Sequence, residues 1–353
     1  MENQNKKVVI LNDTSIACHH GCTKVMSNIR YLLNKLNMDI IDTCFCGEDW
    51  QLNDRVIRNI QKCNVVLVNG EGTLHDSQEK GLHLAKVAKY CKKVGVLAIL
   101  MNTTYYNNGK EFLEYMKFFD LIFVRQSFAQ KELRKHGIDS EVVPDMTFYD
   151  TVDILEDRRD IAVGFTDSVF KRLSEKLFGW VEKSEHFRYL PTLRPCDIVK
   201  WNNFGLIIRR IKYEGRNIFS FFQKYILRKN LPYQYEKRSY FFYSCESYIK
   251  EISRCELLIT GRFHALCFAL KTKTPFLVMH LGLNKVEGML YDIGLNENRI
   301  IEIDALDNEM IKKFRHFESS ELKKIETYTK SAVSKIEAMF EKIKKFVLEN
   351  SNK

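Results

Sequence analysis

A chain of 353 residues is longer than one ordinary domain, so two domains of roughly 150 to 200 residues are expected. Its 45% hydrophobic and 12% aromatic residues, with only 5 prolines, can fill two sizeable cores; they exclude a disordered chain, the polar residues after Val347 apart. A formal charge of +10 favours anionic ligands or anionic lipid, and without a helix-turn-helix, zinc-finger or RNP-like signature no nucleic acid partner is expected.

In chain order, MENQNKKVVILND lacks the apolar region of a signal peptide, and no run of about 18 apolar residues follows anywhere. The first 150 residues then alternate strands and helices. Strands are predicted over Val8–Leu11, Asp39–Thr43, Val65–Val68, Val94–Leu100, Leu121–Val124 and Glu141–Val143. Helical periodicity fills Lys24–Leu36, Arg55–Lys62, Gln78–Cys91, Glu111–Phe118 and Ala129–His136. That alternation predicts a parallel, doubly wound α/β sheet. A charged linker, Asp153–Asp160, ends this N-terminal Rossmann-like domain, taken as residues 1–153.

The α/β pattern restarts at Ile161–Phe165 and returns at Glu256–Thr260, Ala265–Leu270, Pro275–Met279 and Lys285–Tyr291, giving a second Rossmann-like domain over 160–306. Between 205 and 245 the pattern breaks into a basic segment mixing Ile, Phe and Tyr with Arg209, Arg210, Lys212, Arg216, Lys224, Arg228 and Lys229. Such a segment either lies peripherally on an anionic membrane or packs its apolar side on the domain. A Lys/Glu-rich helical tail occupies 307–353. The ten cysteines, among them Cys63, Cys91, Cys255 and Cys267, are scattered through apparent strands and helices and read as reduced, buried thiols. A cytoplasmic protein is expected, with peripheral contact at the inner membrane through the basic segment as the alternative to plain packing.

Chemistry concentrates where strands end. After Val65–Val68 comes Asn69-Gly70-Glu71-Gly72-Thr73, with a helix to follow. Glycines admit a close ligand and a helix N-terminus binds anions, but a carboxylate between the glycines suits a general acid or base better than a phosphate cradle. A tight turn with Glu71 in solvent is the competing reading. Position 75 is His, so the loop is no nicotinamide fingerprint, and a P-loop lysine is lacking. Gly261-Arg262-Phe263-His264 repeats the strand-end pattern: Arg262 can grip a carboxylate or phosphate, and His264 can donate to it or move a proton.

Arg125-Gln126-Ser127 follows a third strand, with Ser127 a plausible helix cap. Pro144-Asp145 follows a fourth, where Asp145 either caps a turn or serves the cleft. The first loop holds Asn12, Asp13, His20 and Gly21, read as cleft or acceptor-binding positions. Its Cys18, His19, His20 and Cys22 are too compressed for a tetrahedral metal, and Asp-x-Asp is missing, so neither metal nor cofactor is expected.

Together these motifs resemble the polysaccharide pyruvyl transferase family, in order from the Asn12/Gly21 loop through Gly70-Glu71-Gly72, Arg125-Gln126-Ser127 and Pro144-Asp145 to Gly261-Arg262-Phe263-His264 and Pro275. The resemblance implies two Rossmann-like domains facing a cleft, the GT-B-like arrangement. It also implies pyruvyl transfer from phosphoenolpyruvate to a sugar of a glycan or lipid-linked glycan. On that basis Arg262 and His264 bind the donor anion, supported by Arg125, Gly70, Gly72, Thr73 and Ser127, and Glu71, Asp145 and His264 are the catalytic candidates.

Two departures matter. The family usually has Gly-Gly-Gly at Gly70-Glu71-Gly72 and Arg-Asp at Arg125-Gln126. The glutamate loop resembles bacterial β-Kdo transferases. These imply an alternative, a retaining glycosyltransferase that takes a nucleotide-activated keto sugar such as CMP-Kdo. Asp145 would be its nucleophile and Glu71 its acid/base. A catalytically inert glycan- or membrane-binding scaffold is the reading from a different class.

Overall fold

The computed structural model describes residues 5–150, 159–193, 244–280, 282 and 284–351. The basic segment over 205–243 and most of the predicted linker lie outside these residues.

Among the described residues the strands form two all-parallel α/β sheets. The first runs β2(Met38–Phe45), β1(Lys6–Asp13), β3(Val65–Glu71), β4(Leu97–Thr103), β5(Leu121–Val124), β6(Glu141–Val142). β3 is buried over its whole length, because helices cover both faces of a parallel sheet and its four consecutive Val/Leu residues face them. The second sheet runs β11(Ile300–Ile301), β10(Phe276–Met279), β9(Cys255–Gly261), β7(Ile161–Ser168), β8(Phe187–Tyr189). This is the predicted pair of Rossmann-like α/β units.

Predicted and observed strands agree at their centres and differ at their ends. β3 and β7 each run three residues further than their apolar runs, so Asn69, Gly70 and Glu71, and likewise Thr166, Asp167 and Ser168, sit on strand rather than in loop. The first helix, His20–Lys35, starts at His20 instead of Lys24, because the His19 ring caps it by accepting the Gly21 N–H at 3.1 Å. β8 and the helices Lys171–Val181 and Cys245–Ser253 were not among the predicted elements. A three-residue edge strand with arginine at its centre carries no readable alternation.

Helix Phe263–Lys271 is buried on every side through Leu270, which accounts for its almost wholly apolar sequence. One hydrophobic core joins it to Val8 and Ile10 of β1, Phe276 and Val278 of β10, and the last helix, Ser319–Asn350. That helix offers Ile325, Ala332, Ile336, Met339, Ile343 and Val347 to the core at helical spacing. Lys35–Glu337 at 3.1 Å and Lys273–Glu326 at 2.5 Å tie it to elements of both sheets. Among the described residues no helix is long and apolar enough to cross a membrane.

Candidate active site

The site forms where the C-terminal ends of both sheets meet. In the first sheet, asparagines terminate three neighbouring strands and bond across them. Asn12 Nδ2 donates to Asn69 O at 2.6 Å, and Asn102 Nδ2 donates to Asn69 Oδ1 at 3.1 Å. Asn102 Oδ1 then accepts the Met146 N–H at 3.2 Å. All three asparagines are buried, so the ladder satisfies polar groups that the strand ends would otherwise orphan.

Glu71 stands on this floor and is itself buried, 7% exposed, contrary to the reading that leaves it in solvent. Its backbone takes φ +42°, the left-handed region a glutamate enters at a cost of about 1–3 kcal/mol. The Thr104 N–H to Glu71 O bond at 2.9 Å holds it there. Its carboxylate accepts from Thr14 Oγ1, from Asn69 Nδ2 at 3.1 Å and from the Cys22 thiol at 3.4 Å, the pattern of an acceptor-only group. Gly70 is fixed by close strand approach: a Cβ there would lie 2.4 Å from Thr103 Cβ. Gly72 is exposed, and a Cβ there would meet nothing nearer than Lys285 Nζ at 3.9 Å. No helix opens directly from this loop, since the next one, Glu79–Val94, begins seven residues after Gly72. The expected helix N-terminus is therefore not part of the anion site.

Each sheet contributes one arginine, and each arginine has its own aspartate. Arg125 donates through Nη1 to Asp145 Oδ2 at 2.8 Å and through Nη2 to Thr104 Oγ1 at 2.5 Å, with the Phe263 ring 4.6 Å from its guanidinium carbon. Asp145 Oδ1 takes the Thr147 N–H at 2.9 Å and the Thr147 hydroxyl at 2.7 Å. In the second sheet Arg262 donates to Asp167 Oδ2 through Nε at 2.9 Å and through Nη2. Asp167 Oδ1 takes the Thr192 N–H at 2.8 Å and its hydroxyl at 2.7 Å. Asp145 caps its turn through Oδ1, and its other oxygen holds Arg125 with His264 beside it.

His264 links the halves. Its Nε2 lies 3.7 Å from Asp145 Oδ2, buried and without a hydrogen-bond partner. Burial alone would raise the Asp145 carboxyl, but His264 and then Arg125 outweigh it and hold it well below the usual carboxylate range. Gly21 makes the crossing possible, since a Cβ there would stand 2.2 Å from the His264 side chain.

The fold also gathers His19, Cys22 and His264, whose ligand atoms all lie within 4.8 Å of one another. Spacing in the first loop argues against a metal; the third ligand comes from the second sheet and is invisible in that spacing. Two features of the trio count against a cation: Arg262 lies close enough to His19 to lower it, after burial, well below its ordinary value, and burial and then Glu71 push the Cys22 thiol well above its own, away from the thiolate a metal needs. Activity is therefore expected to survive EDTA. Activity lost to the chelator and restored by Zn²⁺ or Mn²⁺ would reverse that assignment.

Several predicted positions hold local structure. Asp13 is fully buried, caps the turn after β1 by accepting the Ser15 N–H at 2.9 Å, and pairs with Arg30. Asn12 belongs to the ladder. His20 is 1% exposed and stacks on Tyr248, with centroids 4.3 Å apart. Ser127 does not cap its helix: Gln126 occupies the cap position, and Asp292 Oδ2 accepts the Ser127 N–H at 2.8 Å. Thr73 closes the turn through its N–H to Gly70 O at 3.1 Å. Sequence reasoning missed Asp167, Asn69, Asn102, Thr14 and Lys285. Only Asp167 left a usable signal, as the acid that ends β7 just as Asp145 follows β6.

A family model described as polysaccharide pyruvyl transferase matches residues 21–279. The structure is similar to a UDP-GlcNAc 2-epimerase of Methanocaldococcus jannaschii solved with UDP-GlcNAc and UDP (TM-score 0.51, 15% identity, covering 93% of this chain and 99% of that one). It is also similar to a UDP-N-acetylglucosamine 2-epimerase, itself assigned provisionally, from Listeria monocytogenes (TM-score 0.51, 12% identity, 91% of each chain). At such identities the likeness is one of fold, the GT-B-like pairing of Rossmann-like units. No curated protein sequence matches the chain.

Proposed function

The chain belongs to the polysaccharide pyruvyl transferase family, a family of cell-surface polysaccharide biosynthesis, and from that membership we propose that it moves a pyruvyl unit from phosphoenolpyruvate to a sugar of a glycan or lipid-linked glycan. The observation that carries the reading is the His264–Asp145 pair at 3.7 Å, with Arg125 on the same Asp145 oxygen.

The chemistry needs an acid, a base and anion binding. His264, in its imidazolium form, protonates the methylene carbon of the donor. Asp145, unprotonated at neutral pH, stabilises that cation. Positive charge developing at the donor's C2 is met by a sugar hydroxyl, whose proton passes to Glu71. The C2–O bond to phosphate then breaks, and a second hydroxyl of the same sugar closes the ketal. Of the two hydroxyl protons released overall, one replaces that spent on carbon and one leaves with phosphate. No metal or organic cofactor has a step in this scheme. Arg262 receives the donor carboxylate.

The alternative donor, CMP-Kdo, shares the carboxylate and phosphate, and the Glu71 loop is the feature that favours it. Thermal-shift titration of the protein with phosphoenolpyruvate, CMP, CMP-Kdo, UDP and GDP separates the donors. A true donor at 100 times its dissociation constant stabilises the fold by about 2.7 kcal/mol. Phosphoenolpyruvate is expected to give that shift and Arg262→Ala to lose it together with turnover. A wild-type shift with CMP-Kdo alone would replace the proposed donor.

A further inference from the structure

The two arginines assigned to the donor are already neutralised: Arg125 by Asp145 and Arg262 by Asp167, each aspartate being nearly fully buried. A phosphorylated donor brings more negative charge than one carboxylate, and buried charge requires a partner. Lys285, a half-buried residue in the same place, is a cation whose ammonium makes no ion pair or hydrogen bond among the described residues; it stands 5.9 Å from the Phe263 centroid and lies 3.9 Å from where a Gly72 Cβ would be.

Lys285 is also held in position. It opens helix Lys285–Ile293 after β10. Gln126 Nε2 donates to Lys285 O at 2.8 Å, and a Cβ on Gly288 would meet Gln126 Cβ at 3.3 Å. Asp292 of the same helix accepts the Ser127 N–H at 2.8 Å. The Arg125-Gln126-Ser127 motif of the first sheet thus clamps a helix of the second and aims its first side chain over the glycine loop.

We propose that Lys285, over the open face of Gly72, binds the phosphoryl group of the donor, leaving Arg262 for the carboxylate. The ligand is a terminal phosphate monoester, and on the pyruvyl-transfer reading, on which this assignment rests, it is that of phosphoenolpyruvate. A nucleotide monophosphate is the other source of the same chemistry. Burial first, then Arg125 and Arg262, lower the Lys285 ammonium to about 8, with Glu71 and Cys22 pulling the other way. A bound phosphate relieves that repulsion and restores the ammonium. A glycine at position 72 then has a reason beyond the turn, because a side chain there fills the space beneath Nζ.

The test is calorimetric titration of wild type, Lys285→Met, Lys285→Arg and Gly72→Val with inorganic phosphate, phosphoenolpyruvate, CMP and pyruvate, with melting temperatures measured alongside. Lys285→Met is expected to lose roughly tenfold to a hundredfold in affinity for phosphate and phosphoenolpyruvate, the scale of one charge-assisted contact, while pyruvate binding stays unchanged. Lys285→Arg should recover most of the loss. Gly72→Val should reproduce it without touching the charge. Wild-type phosphate affinity in a folded Lys285→Met protein overturns the assignment, as does a wild type that binds none of the phosphates. Lys285-dependent binding of phosphate and CMP, without phosphoenolpyruvate turnover, keeps the phosphate site and removes the pyruvyl donor. Turnover with an unchanged Michaelis constant in Lys285→Met keeps the donor and removes the site.

Discussion

Asp145→Asn is expected to lower the turnover rate at least roughly a hundredfold and to destabilise the fold by about 3–5 kcal/mol at neutral pH. The first effect follows from His264, whose cationic form loses the carboxylate 3.7 Å away. The second follows from Arg125, which is 3% exposed and would be left as a buried charge without a counter-charge. The pH dependence separates the two. The Asp145 carboxyl is depressed in the fold, so its stabilisation is complete above its unfolded value of about 3.9 and is lost as pH falls toward the folded one. The gap in melting temperature between wild type and variant should therefore narrow below pH 4. Thermal melts across that range, with initial rates at pH 7, check both. A variant with wild-type rate would remove Asp145 from the chemistry, and a gap that persists unchanged at pH 2 would deny the ion pair.

The sheets were legible because parallel strands are buried on both faces, and Val65–Val68, Leu121–Val124 and Leu257–Thr260 read as continuous apolar runs. The site was legible only as far as each strand end announces itself. Glu71, Arg125, Asp145, Arg262 and His264 were each visible, because a charged residue next to an apolar strand is locally conspicuous. Which charge neutralises which was not visible, since Arg262–Asp167 is 95 residues apart in sequence and set by the β7–β9 register. Lys285 was hidden for the opposite reason. Lysine is common at helix starts, and nothing within one helix tells that Gln126, 159 residues earlier, grips its carbonyl. At His20 and Asp13 the local contacts were not visible, because a polar residue in a strand-end loop looks the same whether it faces a ligand, stacks on Tyr248 or pairs with Arg30.

Glu71→Gln should cost at least roughly a hundredfold in rate while leaving the melting temperature within a few degrees of wild type. The amide oxygen can still accept from Thr14 and Asn69, so the strained turn at φ +42° keeps its supports, but the side chain can no longer take a proton. That result alone suits both pyruvyl transfer and double-displacement glycosyl transfer, because each uses a base for the acceptor hydroxyl. Asp145 divides them. Retaining transfer requires one carboxylate to attack the anomeric carbon, and a nucleophile needs a free lone pair. Asp145 spends Oδ1 on two bonds from Thr147 and Oδ2 on Arg125, with His264 beside it, and is 1% exposed. Incubation of wild type and Glu71→Gln with CMP-Kdo is therefore expected to add no mass to the protein. Phosphoenolpyruvate with a sugar acceptor should release inorganic phosphate from wild type only. One Kdo unit found on Asp145 by intact and peptide mass spectrometry would make the aspartate a nucleophile and transfer the function to the glycosyltransferase.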